Sequence, residues 1–214
     1  MTSKAIDASL ESDLIPRPVE YTVIVPDGID PEEKLPLVLN LHGGGGSREH
    51  LKQQKVLWDR MWSGEEIPPM VVAMPSVRLR CLYMDFKDGT ESWETFIVEP
   101  FLQHLRETYP ATSDPKRTFL TGASMGGMGS LRMAFRYPDR FGAVAALEPG
   151  IEPILSWEEM RPKHRFWRGD DLFESAYGKP VDAAYWAENN PATMVTRKAD
   201  EIRESGLQIY IEAD

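Results

Sequence analysis

Cysteine is almost absent from this 214-residue sequence: Cys81 stands alone, which excludes an intramolecular disulfide. Such a chain fits a reducing compartment, and the cytoplasm is the expected location. No histidine lies near Cys81 in sequence, so it reads as a buried structural thiol rather than a catalytic one. Apolar runs long enough for a membrane span are missing too, and no membrane partner is expected. Positive charge is in short supply: 24 Lys and Arg face 34 Asp and Glu, a net charge of −10. A polyanion would be repelled, which sets nucleic acid aside as a partner. Met1 to Pro18 carry Asp7, Glu11 and Asp13 and no apolar core, so residues 1–18 read as a polar leader and not as a secretory signal. Internal repeats and low-complexity segments are lacking.

What remains is a globular composition, 42% hydrophobic and 27% charged, sufficient for one core and one domain over residues 19–214. Val19–Val25 alternates with period two and ends at Pro26-Asp27-Gly28, predicting a strand and a turn. Leu35–Leu41 and Met70–Met74 are apolar throughout, as in strands covered on both faces. Between them, Ser47 is the expected cap of a helix over Glu49–Trp62 whose apolar stripe is Leu51, Val56, Leu57 and Met61. Glu91–Tyr109 is an amphipathic helix with Pro100 marking a kink or boundary. Strand Arg117–Gly122, helix Met125–Tyr137, strand Ala143–Leu147, helix Met194–Ser205 and strand Leu207–Ile211 complete the pattern. The alternation predicts an α/β fold with a mainly parallel sheet and helices on both faces. Residues 150–190 interrupt it with Trp157, Phe166, Trp167, Phe173, Tyr177, Tyr185 and Trp186, either as a cap over a pocket or as aromatics packed on the sheet edge.

Gly122-Ala123-Ser124-Met125-Gly126 is the most specific motif, a G-x-S-x-G core between a strand and a helix. On that sharp turn a serine is held clear of the sheet as a nucleophile, and the glycines allow the turn without a Cβ clash. A serine hydroxyl is unreactive at its own pKa, so acyl transfer needs a base and amide donors for the oxyanion. Met125 offers one backbone N–H, and Leu41-His42-Gly43-Gly44-Gly45-Gly46 is an HGGG-type loop of the kind that offers another. Either motif alone is commonplace; both at strand ends, in the order required, point to a serine hydrolase. His42 reads as a residue steadying the glycine loop, not as the base.

Those stretches, with Leu37–Gly45, Phe119–Gly127 and Tyr137-Pro138-Asp139-Arg140-Phe141-Gly142-Ala143, resemble the Putative esterase (esterase D-like) branch of the α/β-hydrolases, which includes S-formylglutathione hydrolases, feruloyl-type esterases and mycolyltransferase-like proteins. The resemblance covers about Val19 to Asp214. It implies hydrolysis of a small ester or thioester through an acyl-serine intermediate, with no cofactor and no metal. Ser124 is then the nucleophile, Met125 one oxyanion donor and Gly43 or Gly44 the second. Asp214, just after the strand Leu207–Ile211, is the tentative acid. Glu148 is the second candidate, with a pocket-lining or capping role as its other reading.

In this superfamily the base histidine follows the acid. Only His164 of His42, His50, His104 and His164 lies beyond Ser124, between Lys163 and Arg165 where a solvated side chain is expected. The expectation is therefore a chain lacking the final strand and histidine loop, weakly active on model esters, with an unpaired last strand that invites homo-oligomer formation. An acyltransferase of the same fold and a non-catalytic scaffold binding through the aromatic excursion are the competing functions.

Overall fold

The computed structural model describes residues 1–30, 32–78, 80–165 and 168–213. Its seven strands are β1 (Ser3–Ser12), β2 (Ile15–Pro26), β3 (Leu37–Leu41), β4 (Val71–Pro75), β5 (Thr118–Ala123), β6 (Ala143–Leu147) and β7 (Gln208–Glu212). They form one sheet in the order β1-β2-β4-β3-β5-β6-β7. The β1–β2 and β2–β4 pairs are antiparallel, and every pair from β4 to β7 is parallel. The expected mainly parallel α/β sheet is present, with an antiparallel ribbon at one side.

That ribbon corrects the reading of residues 1–18, which supply β1 and the start of β2. Its outer strand is held through polar groups: the Thr22 hydroxyl donates to Asp7, and the Ser3 hydroxyl donates to Asp59.

Alternation along the inner strands divides the interior. Leu37, Leu39 and Leu41 of β3 and Val71 and Ala73 of β4 face the main core, while Val38, Val72 and Met74 face a smaller one. The smaller core is closed by α1 (Glu49–Ser63) through Leu51 and Trp62. The expected α1 stripe is corrected: Val56 is 74% exposed and Leu57 46%. Ser47 lies one residue farther out than expected, with Arg48 at the cap position and the Ser47 hydroxyl accepting from the Glu49 N–H at 3.3 Å.

On the main-core face the helix expected over Glu91–Tyr109 is split into α2 (Trp93–Phe96), a π turn at Ile97–Phe101 and α3 (Leu102–Thr108). Pro100 has no N–H to give to the preceding turn, and the widened π turn accommodates it. Next come α4 (Met125–Arg136), which is buried from Met125 to Phe135, then α5 (Asp170–Tyr177), α6 (Ala183–Asn189), α7 (Pro191–Arg197) and α8 (Ala199–Ser205). The single helix expected at Met194–Ser205 is thus two, broken at Lys198, and the first begins at Pro191 with the Asn190 side chain accepting from the Ala192 N–H.

Several side chains of residues 150–190 pack inward. Ile154, Met160, Leu172, Phe173, Tyr177 and Trp186 join the main core, and Trp157 meets the rings of Phe173 and Trp186 at tilted angles. Phe166 and Trp167 lie outside the described residues. The segment is tied to α4 by buried Arg132, which donates to the Leu82 and Asn189 carbonyls. A buried ion pair, Arg168 to Glu152 at 2.7 Å, lies within the segment itself.

Candidate active site

Ser124 sits between β5 and α4 at φ 53°, ψ −114°, a left-handed conformation that a non-glycine residue adopts only under local constraint. Three backbone bonds supply it. The Ser124 N–H donates to the Leu147 carbonyl at 2.9 Å, and the Ser124 carbonyl accepts from the N–H groups of Met128 (3.0 Å) and Gly150 (3.1 Å). The residue is exposed while Met125 after it is buried, so the turn lifts the hydroxyl out of the sheet. Two glycines make the turn sterically feasible. A Cβ at Gly122 would stand 2.6 Å from the Gly126 carbonyl carbon, and one at Gly126 would stand 2.0 Å from the Leu41 carbonyl oxygen. Helix α4 therefore begins in backbone contact with the end of β3, where the glycine loop starts.

That loop reaches the serine. A Cβ on Gly43 would lie 3.3 Å from the Ala123 carbonyl oxygen and 3.6 Å from the Ser124 Cβ. The Gly46 N–H closes a tight turn onto the Gly43 carbonyl at 3.0 Å. Gly44 is exposed beside it, on a groove of about 600 Å³ whose walls include Ala123, Leu147, His50, Trp58 and Met61. The start of α4 adds the positive end of a helix dipole. Ser124, Met125, Gly43 and Gly44 are thus brought to one place.

His42 is buried, and both ring nitrogens are engaged: Nε2 accepts from the Val77 N–H at 3.1 Å, and Nδ1 donates to the Gly43 carbonyl at 2.8 Å. This pattern fixes a neutral ring protonated on Nδ1. Burial pushes its pKa below the ordinary value and the neighbouring His50 adds to the effect, against the Gly43 bond. The ring holds the loop, as its place in the motif suggested. His50 Nδ1 accepts from the Ser47 N–H, His104 bonds to the hydroxyls of Tyr21 and Thr108, and His164 Nδ1 accepts from the Arg161 N–H.

Of the two candidate acids, Asp214 lies outside the described residues. Glu148 follows β6 at φ 45° and donates its N–H to the Glu212 carbonyl at 2.7 Å, joining the ends of β6 and β7. Cys81 is buried, and burial pushes its thiol pKa up to about 12, which leaves an inert thiol. No group of three or more His, Cys, Asp or Glu among the described residues could hold a metal ion. No helix among them is long and apolar enough to cross a membrane.

The segment Cys81–Met84 is buried against the site, as a packed stretch of the run over residues 78–85. Its Tyr83 hydroxyl donates to the His42 carbonyl at 2.9 Å. Left-handed backbone at Leu82 and Tyr83, both φ 51°, leaves no trace in residue type. Likewise Glu91 gave no signal, yet its carboxylate collects Arg17, Arg78 and the Trp93 indole N–H.

Comparison with known proteins identifies the family. The model of the family described as Putative esterase matches residues 12–213. The acetyl esterase of Caldicellulosiruptor saccharolyticus is 29% identical over 69 residues, 32% of this chain and 26% of that protein. The S-formylglutathione hydrolase of Mus musculus is 29% identical over 98 residues, 41% of this chain and 34% of that protein. The matches thus span about a quarter to a third of those relatives' lengths. Among solved structures, a ferulic acid esterase superposes with a TM-score of 0.75 at 21% identity, covering 100% of this chain and 90% of that one. An S-formylglutathione hydrolase from Staphylococcus aureus gives 0.75 at 19%, covering 99% and 80%. These structural likenesses are of fold, that of the α/β-hydrolases. With its model matching residues 12–213, the family described as Putative esterase is the one to which the chain belongs.

Proposed function

We propose that the chain is a serine esterase or thioesterase for small acyl groups, with Ser124 as nucleophile. The observation that carries this reading is the meeting of an exposed, left-handed Ser124 with Gly43, whose absent Cβ would lie 3.6 Å from the Ser124 Cβ. In the reaction the Ser124 hydroxyl attacks the ester carbonyl and gives up its proton to a solvent water, while the Met125 N–H and that of Gly43 or Gly44 stabilise the tetrahedral oxyanion. Collapse expels the alcohol or thiol, which takes a proton, and leaves an acyl-serine. Water then releases the carboxylic acid and restores the hydroxyl.

Relatives named for acetyl, S-formylglutathione and ferulic acid substrates support small esters and thioesters as the class. Asp214 is the proposed acid. The base is assigned to none of the four histidines, each of which is hydrogen-bonded elsewhere. Hydrolysis by this polypeptide is accordingly expected to be slow, sustained by the oxyanion donors and binding. A reducing-compartment location is proposed from the single buried cysteine. The test is p-nitrophenyl acetate hydrolysis by wild type and Ser124→Ala. Loss of the activity above background in the variant supports the reading, and an equal rate in both proteins refutes it.

A further inference from the structure

Tyr83 touches both halves of the proposed site although it belongs to neither motif. Its hydroxyl donates to the His42 carbonyl, the residue immediately before Gly43, at 2.9 Å. Its ring meets the His42 ring edge-on at 5.9 Å between centroids. On its other side it lies against α4, where Gly129 leaves room for it: a Cβ there would stand 2.5 Å from the Tyr83 Cβ and 2.8 Å from its Cγ.

The backbone that presents this side chain is strained, and the strain is held by specific bonds. Leu82 and Tyr83 both adopt φ 51°, two successive left-handed residues without a glycine. The Tyr83 N–H donates to the Cys81 sulfur at 3.2 Å, and the Leu82 carbonyl accepts from Arg132 at 2.6 Å. Arg132 is itself fully buried on α4. A strained, fully buried segment that ends in a single hydroxyl on the loop backbone is over-determined for packing alone.

We propose that Tyr83 is a positioning residue for the oxyanion loop: wedged between α4 and His42, it fixes the distance between the Ser124 elbow and the Gly43–Gly44 amides. This rests on the serine-esterase reading of the site. His42 is then held at three points: its carbonyl by Tyr83, Nε2 by Val77 and Nδ1 by Gly43. The peptide that leads into Gly43 is left with little freedom. An oxyanion donor acts only when it is already aimed at the position where the charge develops.

Tyr83→Phe removes the hydroxyl and keeps the wedge. Its kcat on p-nitrophenyl acetate should fall about 10-fold with KM within about twofold, the pattern of a lost transition-state interaction. The ¹⁵N order parameters of the Gly43 and Gly44 amides should drop from the rigid value of about 0.85 toward 0.6, with those of β3 and β5 unchanged. Gly129→Ala, which displaces the wedge instead, should give the same two changes, and combining it with Tyr83→Phe should add less than the sum.

Unchanged order parameters at Gly43 and Gly44 in both variants would overturn the proposal, as would, where wild type turns over, an unchanged kcat in both variants. If wild type is inert toward esters, the serine-esterase reading fails by itself, and the order parameters still decide whether Tyr83 holds the loop.

Discussion

Gly126 and Leu41 are in backbone contact: the first turn of α4 lies so close to the end of β3 that a Cβ at Gly126 would stand 2.0 Å from the Leu41 carbonyl oxygen. The helix that follows Ser124 and the strand that leads into the glycine loop are therefore spaced by the absence of one methyl group.

Gly126→Ala must push these backbones apart. Overpacking of this kind destabilises by about 1–3 kcal/mol, and a displacement near 1 Å at the reacting atoms lowers rate by about 100-fold. Gly150→Ala is the contrast, since its Cβ would meet nothing nearer than 3.9 Å. Urea unfolding and the rate of Ser124 labelling by a fluorophosphonate should both suffer in the first variant and stay near wild type in the second.

Arg168 and Glu152 form an ion pair with side chains 3% and 2% exposed. Burial raises the Glu152 pKa against the pull of Arg168, so the charged pair depends on both partners. Arg168→Met should cost about 3–5 kcal/mol by leaving a buried carboxylate, and the double variant Arg168→Met/Glu152→Met should recover most of that. Denaturant midpoints of the wild type, single and double variants give the comparison. A double variant as unstable as the single one would show that the pair is not the unit.

Glu91 supplies a pH-dependent test. Burial alone would raise its pKa, but the Trp93 indole, Arg17 and Arg78 together outweigh that and hold it below the ordinary 4.5. A lowered native pKa means stabilisation that is present above pH 4.5 and lost as pH falls through the native value. Glu91→Gln should cost about 1.5–3 kcal/mol at pH 7, as for hydrogen bonds to a charged group. The difference from wild type should close in acid, as read by urea melts from pH 7 downward.

His42 should remain neutral and protonated on Nδ1 at pH values where an ordinary histidine, near 6.5, is half charged. Its lowered pKa makes folding stability fall as pH drops below 6.5 toward the native value, because the unfolded chain takes up the proton first. The ¹⁵N shifts of its ring nitrogens against pH measure this directly. Titration at the ordinary value would contradict the bonds to Val77 and Gly43.

Much of this was legible in the residues, and the failures have physical causes. The inner strands show as apolar runs because both faces are covered, as at Leu37–Leu41, and the elbow shows because only glycine tolerates the contacts at Gly122 and Gly126. Residues 1–18 were opaque because β1 is an edge strand fastened by polar contacts such as Asp7 with Thr22, which hydropathy does not register. Pro100 signalled a disturbance but not the π turn that absorbs it. The bond from Tyr83 to His42 was not legible because a left-handed conformation at a non-glycine is imposed by tertiary contacts rather than by residue type.

The central claim is that Ser124 is the acyl-accepting atom, and trapping it is the most direct measurement. Incubation with a fluorophosphonate followed by peptide mapping should place a single adduct on the peptide containing Ser124, with none in Ser124→Ala. An adduct on another residue, or equal labelling of the alanine variant, would contradict the account.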